Sequence, residues 1–378
     1  MTDYNSGKVL VAMSGGVDST VAALLLKNAG YSVKGAILRM NDAGISQTAL
    51  TNGKLPQSIW YAREAARKLR IDFSIIDVRP EFREVEQYFI RSYQKGETPN
   101  PCIFCNRHVK IPQMLQAAKQ LECEKVATGH YAVVGYNEET GRFTLKKSRD
   151  REKDQSYMLY SLPQEMLARL VTPLGLYNKE EIRQMARDTG FKNAEAPDSQ
   201  DICFIPDGDY GRFIEETLTS GGQTGDLQAL PGLAPGDFTD REGHLLGRHK
   251  GLIHYTVGQR KGLGISADAP LYVCEKRPET NQVVLGTEKD LFTDTVVADQ
   301  VNFVSIGELP GNSMRVSARI RYSSRETAGT ASIQEDGTLK VRFDEPVKAP
   351  SPGQSLVLYQ EDLVIAGGII RRTGGKHE

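Results

Sequence analysis

Three cysteines are the first residues in this sequence whose types and spacing suggest chemistry. Cys102 and Cys105 lie three residues apart in the stretch TPNPCIFCN, and Cys203 lies much later in PDSQDICFIPDGDY. Thiols in such a pattern serve as metal ligands, as a redox pair, as a nucleophile with a helper, or as small buried hydrophobes. Polar and basic residues crowd the first pair, namely Asn100, Asn106, Arg107, His108 and Lys110. Because cationic groups lower the pKa of a thiol, this setting favours reactive or ligating thiols.

Three explanations of the cysteines compete on the residues alone. A zinc site could use Cys102, Cys105, Cys203 and His108, although the chain has no second C-x-x-C. A thioredoxin-like pair would open a helix just after the first strand of its own small fold, whereas this pair follows several predicted elements. Burial as small hydrophobes is the commonest fate of free cysteine. The odd count of five cysteines predicts reduced thiols in a cytosolic protein.

A second candidate site is the turn Ser14-Gly15-Gly16-Val17-Asp18-Ser19, between a predicted strand and a predicted helix. The two glycines would let backbone N–H groups approach a phosphate, and the helix N-terminus would add partial positive charge. The serine hydroxyls could bind phosphate oxygens, and Asp18 could hold Mg²⁺ against a polyphosphate. The turn is neither a Walker A loop nor the G-x-G-x-x-G fingerprint. A plain strand-to-helix turn, capped by Ser or Asp, is the alternative without a ligand.

The surrounding pattern predicts the elements that must position these residues. Apolar strands alternate with amphipathic helices as far as the strand KVATGH, which is typical of a doubly wound parallel sheet in an α/β fold. Helical patterns follow, then glycine- and proline-rich β segments, and finally an all-β region. We therefore predict three units: a nucleotide-binding domain over 1–205, a small β-rich central domain over 206–270, and a C-terminal β-barrel over 271–378.

Composition limits the partners of the chain. Its 378 residues carry a formal net charge of −1, with 39% hydrophobic and 25% charged residues, as expected for a globular protein. Nucleic acid would therefore have to bind through local basic patches. The candidate patches are 146–153, 248–250, Arg260 with Lys261, and the group Arg315, Arg319 and Arg321. No apolar run approaches the ~20 residues that a membrane helix needs, so we expect no membrane association.

Longer blocks of the sequence resemble one enzyme family. The SGGxDS turn resembles the PP-loop of the ATP pyrophosphatases, which adenylate a substrate oxygen and release pyrophosphate. The stretches TPNPCIFCN, ATGHYA, KDQSYML, PDSQDICFIPDGDY and YTVGQRKGLGI are similar to the tRNA 2-thiouridylase family. The resemblance implies a PP-loop domain, ATP, and an enzyme that replaces the 2-oxygen of the wobble uridine of certain tRNAs with sulfur from a cysteine persulfide.

The resemblance also implies a role for each matching position. Cys105 would be the nucleophile and Cys203 the persulfide carrier, and the two would close a disulfide during turnover. ATP, with Mg²⁺, would be held by Ala12, Met13, Ser14, Gly15, Gly16, Val17, Asp18, Ser19, Met40 and Gly129. The target base would face Asn100, Pro101 and Cys102, and tRNA would contact His130, Lys153, Asp154, Gln155, Arg321, Tyr322 and Gln354. The implied partners are a tRNA with a wobble uridine and a cytoplasmic sulfur donor, either a cysteine desulfurase or a sulfur carrier.

Cys102 leaves two mechanisms open. Some relatives have Asp at this position, proposed to act as an acid or base, and here a thiol replaces that carboxylate. Cys102, Cys105 and Cys203 could instead ligate a [4Fe–4S] cluster whose open iron holds the sulfur donor. Outside thiolation, the alternatives are a PP-loop ligase acting on a small molecule and an RNA-binding regulator without catalysis. The chain has no recognisable glutaminase segment, which weighs against the ligase.

Overall fold

The N-terminal unit is built on a parallel sheet. The structure is a computed structural model that describes residues 7–41, 56–197, 202–220 and 230–371. Five strands form the sheet, namely β1 (Lys8–Ala12), β2 (Ser32–Arg39), β3 (Phe73–Asp77), β4 (Lys125–Ala127) and β7 (Leu170–Val171). They run parallel in the order β3-β2-β1-β4-β7. The predicted parallel α/β sheet is confirmed.

Helices cover both faces of this sheet. They are α1 (Val17–Asn28), α2 (Gln57–Leu69), α3 (Arg79–Gln94), α4 (Pro101–Cys105), α5 (Ile111–Gln120), α6 (Ser156–Leu159), α7 (Gln164–Leu167) and α8 (Lys179–Thr189). Successive residues of β1 point to opposite faces, so Val9 and Val11 pack with α1, α2 and α8, whereas Leu10 packs with α5. Among the described residues, no helix has the length and apolar character that a membrane crossing requires.

The strand order places a crevice at one edge of the sheet. β2 and β3 lie on one side of β1, and β4 and β7 lie on the other. In open parallel sheets, ligands bind beyond the carboxyl ends of the strands where the order reverses in this way. The glycine turn leaves β1 at this point, and Gly129 follows β4 at the same edge. The fold therefore brings both predicted nucleotide-binding segments to the switch point.

A separate four-stranded sheet forms the middle of the molecule. After α9 (Tyr210–Ser220) come β8 (Gly236–Thr239), β9 (Leu245–His249), β10 (Tyr272–Arg277) and β11 (Gln282–Gly286), paired in the order β10-β11-β8-β9. The hairpin of β10 and β11 lies beyond the boundary expected at residue 270. It joins the middle sheet because Val273, Val283 and Leu285 share a core with Phe238 of β8.

The C-terminal unit is a closed antiparallel barrel. Its strands are β12 (Phe292–Phe303), β13 (Ser313–Arg319), β14 (Thr327–Ile333), β15 (Leu339–Lys348), β16 (Ser355–Gln360) and β17 (Leu363–Ile370). They pair in the order β12-β15-β14-β13-β16-β17, and β12 also pairs with β17, which closes the barrel. The predicted C-terminal β-barrel is confirmed.

A hairpin and a buried ionic cluster join the barrel to the N-terminal unit. The hairpin consists of β5 (Ala132–Asn137) and β6 (Arg142–Lys147), and β6 pairs with β17 of the barrel. The ammonium of Lys147 lies 2.8 Å from the Glu326 carboxylate, and Arg319 lies 3.1 Å from Glu326 and 3.7 Å from Asp154. Lys147 and Arg319 were expected in RNA-binding patches. Their largely buried charges are instead neutralised between the domains.

Candidate active site

The turn after β1 is shaped for close approach of a phosphate. Gly15 has φ +84°, and an added Cβ would lie 2.2 Å from the carbonyl oxygen of Ser58, so only glycine fits there. Gly16 is the N-cap of α1 and has no side chain that could satisfy the first N–H groups of that helix. Ser19 Oγ accepts from the Ser14 N–H at 3.0 Å and lies 3.2 Å from Ser14 Oγ. These hydroxyl and N–H groups at a helix N-terminus fit the phosphates of ATP.

Asp18 is paired with a lysine that the sequence analysis did not single out. Lys179 Nζ donates to the two carboxylate oxygens of Asp18 at 2.7 and 2.8 Å, and the Tyr131 hydroxyl donates to Oδ1 at 2.8 Å. The Lys179 side chain is only 11% exposed. Asp18 was expected to hold Mg²⁺, but here an ammonium group already neutralises it. The capping box that Asn178 forms at the start of α8 is the sequence signal that could have drawn attention to Lys179.

The remaining residues predicted to bind ATP lie at the same edge of the sheet. Gly129 packs so closely on the turn that an added Cβ would lie 2.8 Å from the Ser19 nitrogen. Ala12 ends β1, and Met13 is fully buried behind the turn. Met40 directly follows β2 and packs against the apolar cluster that includes Cys105. The crevice and the cysteine segment therefore share packing contacts.

The segment 97–105, which carries the first two cysteines, is held by the barrel. The Thr98 N–H donates to the Pro352 carbonyl at 2.7 Å, and Gln354 Nε2 donates to the Thr98 carbonyl at 2.8 Å. Gly353 packs so tightly here that an added Cβ would lie 3.0 Å from the Thr98 nitrogen. Gln354 was predicted to contact tRNA. Its amide fixes the backbone that leads into the candidate catalytic helix, and its contact with tRNA stays a prediction.

Two asparagines anchor the cysteine helix to its neighbours. Asn100 Oδ1 accepts from the Ile103 N–H at 3.3 Å, so Asn100 is the N-cap of α4, and Pro101 occupies the first helical position. Asn106 Nδ2 donates to the Met158 carbonyl at 3.1 Å. These bonds fix the helix relative to α6, which lies beside the barrel.

The end of helix α4, which carries Cys105, and the segment that carries Cys203 meet in one aromatic core. Cys105 is buried in the same cluster as Phe204, the residue after Cys203. The Phe204 ring lies 5.7 Å from that of Phe82 and 5.5 Å from that of Phe89, measured between centroids. Phe204 therefore anchors the Cys203 loop beside Cys105, although the two cysteines are far apart in the sequence.

All three thiols are stabilised in the protonated form. Burial raises the pKa of Cys105. Cys102 and Cys203 are exposed, yet the dense protein around each also raises its pKa by desolvation, that of Cys203 to about 12. Neighbouring cations were expected to lower these values. Lys110 does oppose the rise at each thiol, but desolvation is the larger effect.

The described residues do not assemble a metal site from these thiols. Within the described ranges, no group of three or more His, Cys, Asp or Glu side chains is arranged to hold a metal ion, and all five cysteines are free. His108, offered as a fourth zinc ligand, stacks on Phe104 at 4.3 Å. In this arrangement the residues fit neither a zinc ion nor a [4Fe–4S] cluster.

The residues predicted to contact tRNA divide into buried and exposed groups. Asp154 is 2% exposed and accepts from the Ser148 N–H at 3.0 Å, and Gln155 Oε1 accepts from the Tyr131 N–H at 3.0 Å. Asp154 and Gln155 Oε1 thus have protein partners, and contact of these two residues with tRNA stays a prediction. Lys153, Gln155, Arg321 and Gln354 are partly exposed, and Tyr322 is 37% exposed.

His130 is buried and neutral. Its Nδ1 lies 2.8 Å from Thr128 Oγ1, and the residue is 9% exposed. Burial, together with the charge of Lys110, lowers the pKa of His130 from 6.5 to about 3. The imidazole therefore stays uncharged at neutral pH and cannot attract RNA phosphates as a cation.

Replacing His130 with glutamine is expected to make folding less sensitive to acid. Between pH 6.5 and about 3 the unfolded chain binds a proton at His130 that the folded chain does not, so stability is complete above pH 6.5 and falls as the pH drops. Between pH 7.5 and 5, wild type should lose about 2 kcal/mol more free energy of unfolding than the variant. Urea unfolding at the two pH values measures this difference. Equal losses in the two proteins would contradict a neutral buried His130.

Comparison with known proteins identifies the family. Models described as tRNA methyl transferase HUP domain, tRNA methyl transferase PRC-barrel domain and Aminomethyltransferase beta-barrel domain match residues 7–207, 227–287 and 293–370. The chain is 44% identical over 370 residues to tRNA-specific 2-thiouridylase MnmA 1 of Thermoanaerobacter pseudethanolicus, covering 97% of this chain and 98% of the relative. It is 44% identical over 367 residues to MnmA of Acetivibrio thermocellus, with 96% and 99% covered. The resemblance seen in the sequence motifs is confirmed: the chain belongs to the tRNA-specific 2-thiouridylase family.

Proposed function

We propose that this protein is an ATP-dependent tRNA sulfurtransferase that converts the 2-oxo group of a wobble uridine into a 2-thio group. One observation carries the proposal: Cys105 and Phe204, the residue after Cys203, share an apolar cluster with Met40, which follows β2 at the edge of the sheet where the phosphate turn lies. A thiol pair beside an ATP site suits chemistry that activates an oxygen and then replaces it with sulfur. The names of the curated relatives support the same reaction.

The first step is activation of the base. A uracil 2-carbonyl is a poor electrophile, and its oxygen does not leave as oxide. Transfer of AMP from ATP to that oxygen, with release of pyrophosphate, makes AMP the leaving group. The N–H groups of Gly15 and of the uncapped first turn of α1 would bind the phosphates, with Lys179 adjacent as a fixed positive charge. Mg²⁺ would bind mainly through phosphate oxygens and water, because this ion needs only one or two protein carboxylates.

The second step is sulfur transfer. The terminal sulfur of a Cys203 persulfide attacks C2, the C2–O bond breaks, and AMP departs. Cys105 gives up its proton to solvent, and the resulting thiolate, which the charge of Lys110 favours, then attacks Cys203 Sγ. The S–S bond to the transferred sulfur breaks, its electron pair stays on that sulfur, and 2-thiouridine and a Cys105–Cys203 disulfide result. A thiol reductant, acting by disulfide exchange, restores the two cysteines before a donor protein reloads Cys203.

The substrate is a large, negatively charged RNA, whereas the protein has a net charge of only −1. Contact would therefore depend on local groups, such as the partly exposed cations Lys153 and Arg321 and the exposed ring of Tyr322. The wobble base would leave its stack to reach the crevice, as base-modifying enzymes require. The five free thiols suit the reducing cytoplasm.

Two other mechanisms are weighed against this one. A [4Fe–4S] route through Cys102, Cys105 and Cys203 needs three thiols arranged as ligands, which the described residues do not show. The reaction of a small-molecule PP-loop ligase does not require two thiols whose segments pack on one core. Neither alternative is favoured by a specific observation.

Incubation with unmodified tRNA, Mg·ATP and a sulfur donor tests the proposal. Nucleoside mass spectrometry should detect uridine in which one oxygen is replaced by sulfur, together with stoichiometric AMP and pyrophosphate. Colourless, iron-free protein should be fully active. Absence of thiouridine across tRNAs with a wobble uridine would contradict the proposed function, and activity that requires iron would favour the cluster.

A further inference from the structure

The helix that carries Cys102 and Cys105 contains an irregular turn. It runs through α4, a π-helical turn (Asn106–Lys110) and α5 without interruption. Pro112 explains the irregularity, because a proline ring inside a regular α-helix clashes with the carbonyl four residues earlier, here that of His108. Widening the preceding turn by one residue relieves this clash. Single π turns of this kind occur frequently at functional sites.

The π turn changes which residue faces the thiols. In a regular α-helix, Lys110 would lie about 80° around the axis from Cys102. Because a π turn contains one extra residue, Lys110 takes the place normally held by the seventh residue after Cys102 and the fourth after Cys105. Residues at those spacings share one helix face. The irregular turn therefore brings an ammonium group onto the face that carries both cysteines.

The electrostatic surroundings of Lys110 agree with this placement. Its charge acts on the thiols of Cys102, Cys105 and Cys203, and also on the buried imidazole of His130. Within the part of the chain that the structure describes, no carboxylate forms an ion pair with Lys110. The side chain is half-buried. A half-buried cation whose neighbours are three neutral thiols and a neutral imidazole carries an uncompensated charge, and an anion bound beside it would be stabilised.

We propose that Lys110 is the binding group for the transferable sulfur, holding the terminal persulfide sulfur or a free hydrosulfide as an anion between Cys105 and Cys203. The inference rests on the proposed function and adds to it the residue that recognises the sulfur species. A neutral thiol interacts only weakly with the Lys110 ammonium, whereas an anionic sulfur forms a charge-assisted hydrogen bond with it. Lys110 thus favours the loaded state over the unloaded one and keeps the nucleophile ionised until it attacks C2.

Lys110→Met, with hydrosulfide as the free donor, tests the inference. Hydrosulfide would act without loading Cys203: its sulfur bonds to C2 of the adenylated base, the C2–O bond breaks, and AMP departs. Methionine matches the length of the lysine stem without its charge. We expect single-turnover pyrophosphate release to be unchanged, thiouridine formation to fall by about 10²-fold, and the half-saturating hydrosulfide concentration to rise by about 10-fold. Lys110→Arg keeps the charge and should retain most of the hydrosulfide affinity. Lys119→Met, at an exposed lysine of α5, is the matched control.

The outcomes separate this inference from the proposed function. If wild type makes thiouridine and Lys110→Met shows the same hydrosulfide dependence, the role of Lys110 is wrong and the function stands. If Lys110→Met and Lys110→Arg lose pyrophosphate release and thiolation equally, Lys110 supports the site as a whole, which also overturns the inference. If wild type makes no thiouridine with hydrosulfide but does so with a sulfur-donor protein, the binding of free hydrosulfide at Lys110 is wrong and the function stands. If it makes none with either donor, both proposals fail.

Discussion

Replacing Cys203 with serine is expected to abolish 2-thiouridine formation while pyrophosphate release continues. The serine hydroxyl cannot carry a persulfide, so the adenylated base would form and find no sulfur. Loss of a covalent nucleophile costs at least about 10³-fold in the step that it serves. Single-turnover assays that follow pyrophosphate and thiouridine in the same sample measure the two steps separately. Equal activity in wild type and Cys203→Ser would remove the persulfide carrier from the mechanism.

Two further cysteine variants sharpen this test. Cys105→Ser should also lose thiolation, because the mixed disulfide to C2 could no longer be resolved. Cys274→Ser, in β10 of the middle sheet, is the matched control and should be fully active. Cys102→Ser separates the two routes to sulfur transfer. A relay through Cys105 and Cys203 needs no third thiol, so activity should persist, whereas a three-cysteine cluster would be lost.

Replacing Lys179 with methionine is expected to reduce base adenylation by about 10²- to 10³-fold, the usual effect of removing a fixed charge from a transition-state site. The change removes a largely buried cation beside the phosphate turn. It also leaves the Asp18 carboxylate with only the Tyr131 hydroxyl and a negative charge that repels ATP. Single-turnover pyrophosphate release and equilibrium ATP binding measure the effect.

The control for this prediction is Lys125→Met. Lys125 begins β4 at the opposite edge of the sheet and is exposed, so its charge is remote from the crevice. Asp18→Asn in the Lys179→Met background should recover part of the ATP affinity, because it removes the uncompensated carboxylate. Unchanged pyrophosphate release in Lys179→Met would show that the lysine only balances Asp18 in the empty site.

Much of the fold can be predicted from short-range patterns in the sequence. Strand β1 is apolar on both faces, as expected for a strand that is buried inside a parallel sheet. The turn at Gly15 is specified by local chemistry, since only glycine tolerates its backbone angle and its contact with α2. The dipeptide Asp336-Gly337 is likewise a local turn signal, and strands β14 and β15 flank it. Short-range sterics and periodicity determine such features.

The sequence pattern was less informative where distant segments compete for the same partner. Lys147 and Arg319 look like part of an RNA-binding surface, yet Glu326 and Asp154 neutralise them between domains. The hairpin over 272–286 has the same all-β sequence pattern as the barrel strands, but its apolar face packs on β8. Ion pairs and core packing between remote residues have no period or spacing along the chain that could reveal them.

By itself the sequence determined the chemistry available: a glycine turn for phosphates, three thiols, and the motifs of one family. Only the tertiary structure decided how these groups combine. It paired Asp18 with Lys179 and brought Phe204, and hence Cys203, beside Cys105. The reason is physical, because charge neutralisation and packing act on distance in space, whereas spacing along the chain controls only contacts within a helix, strand or turn.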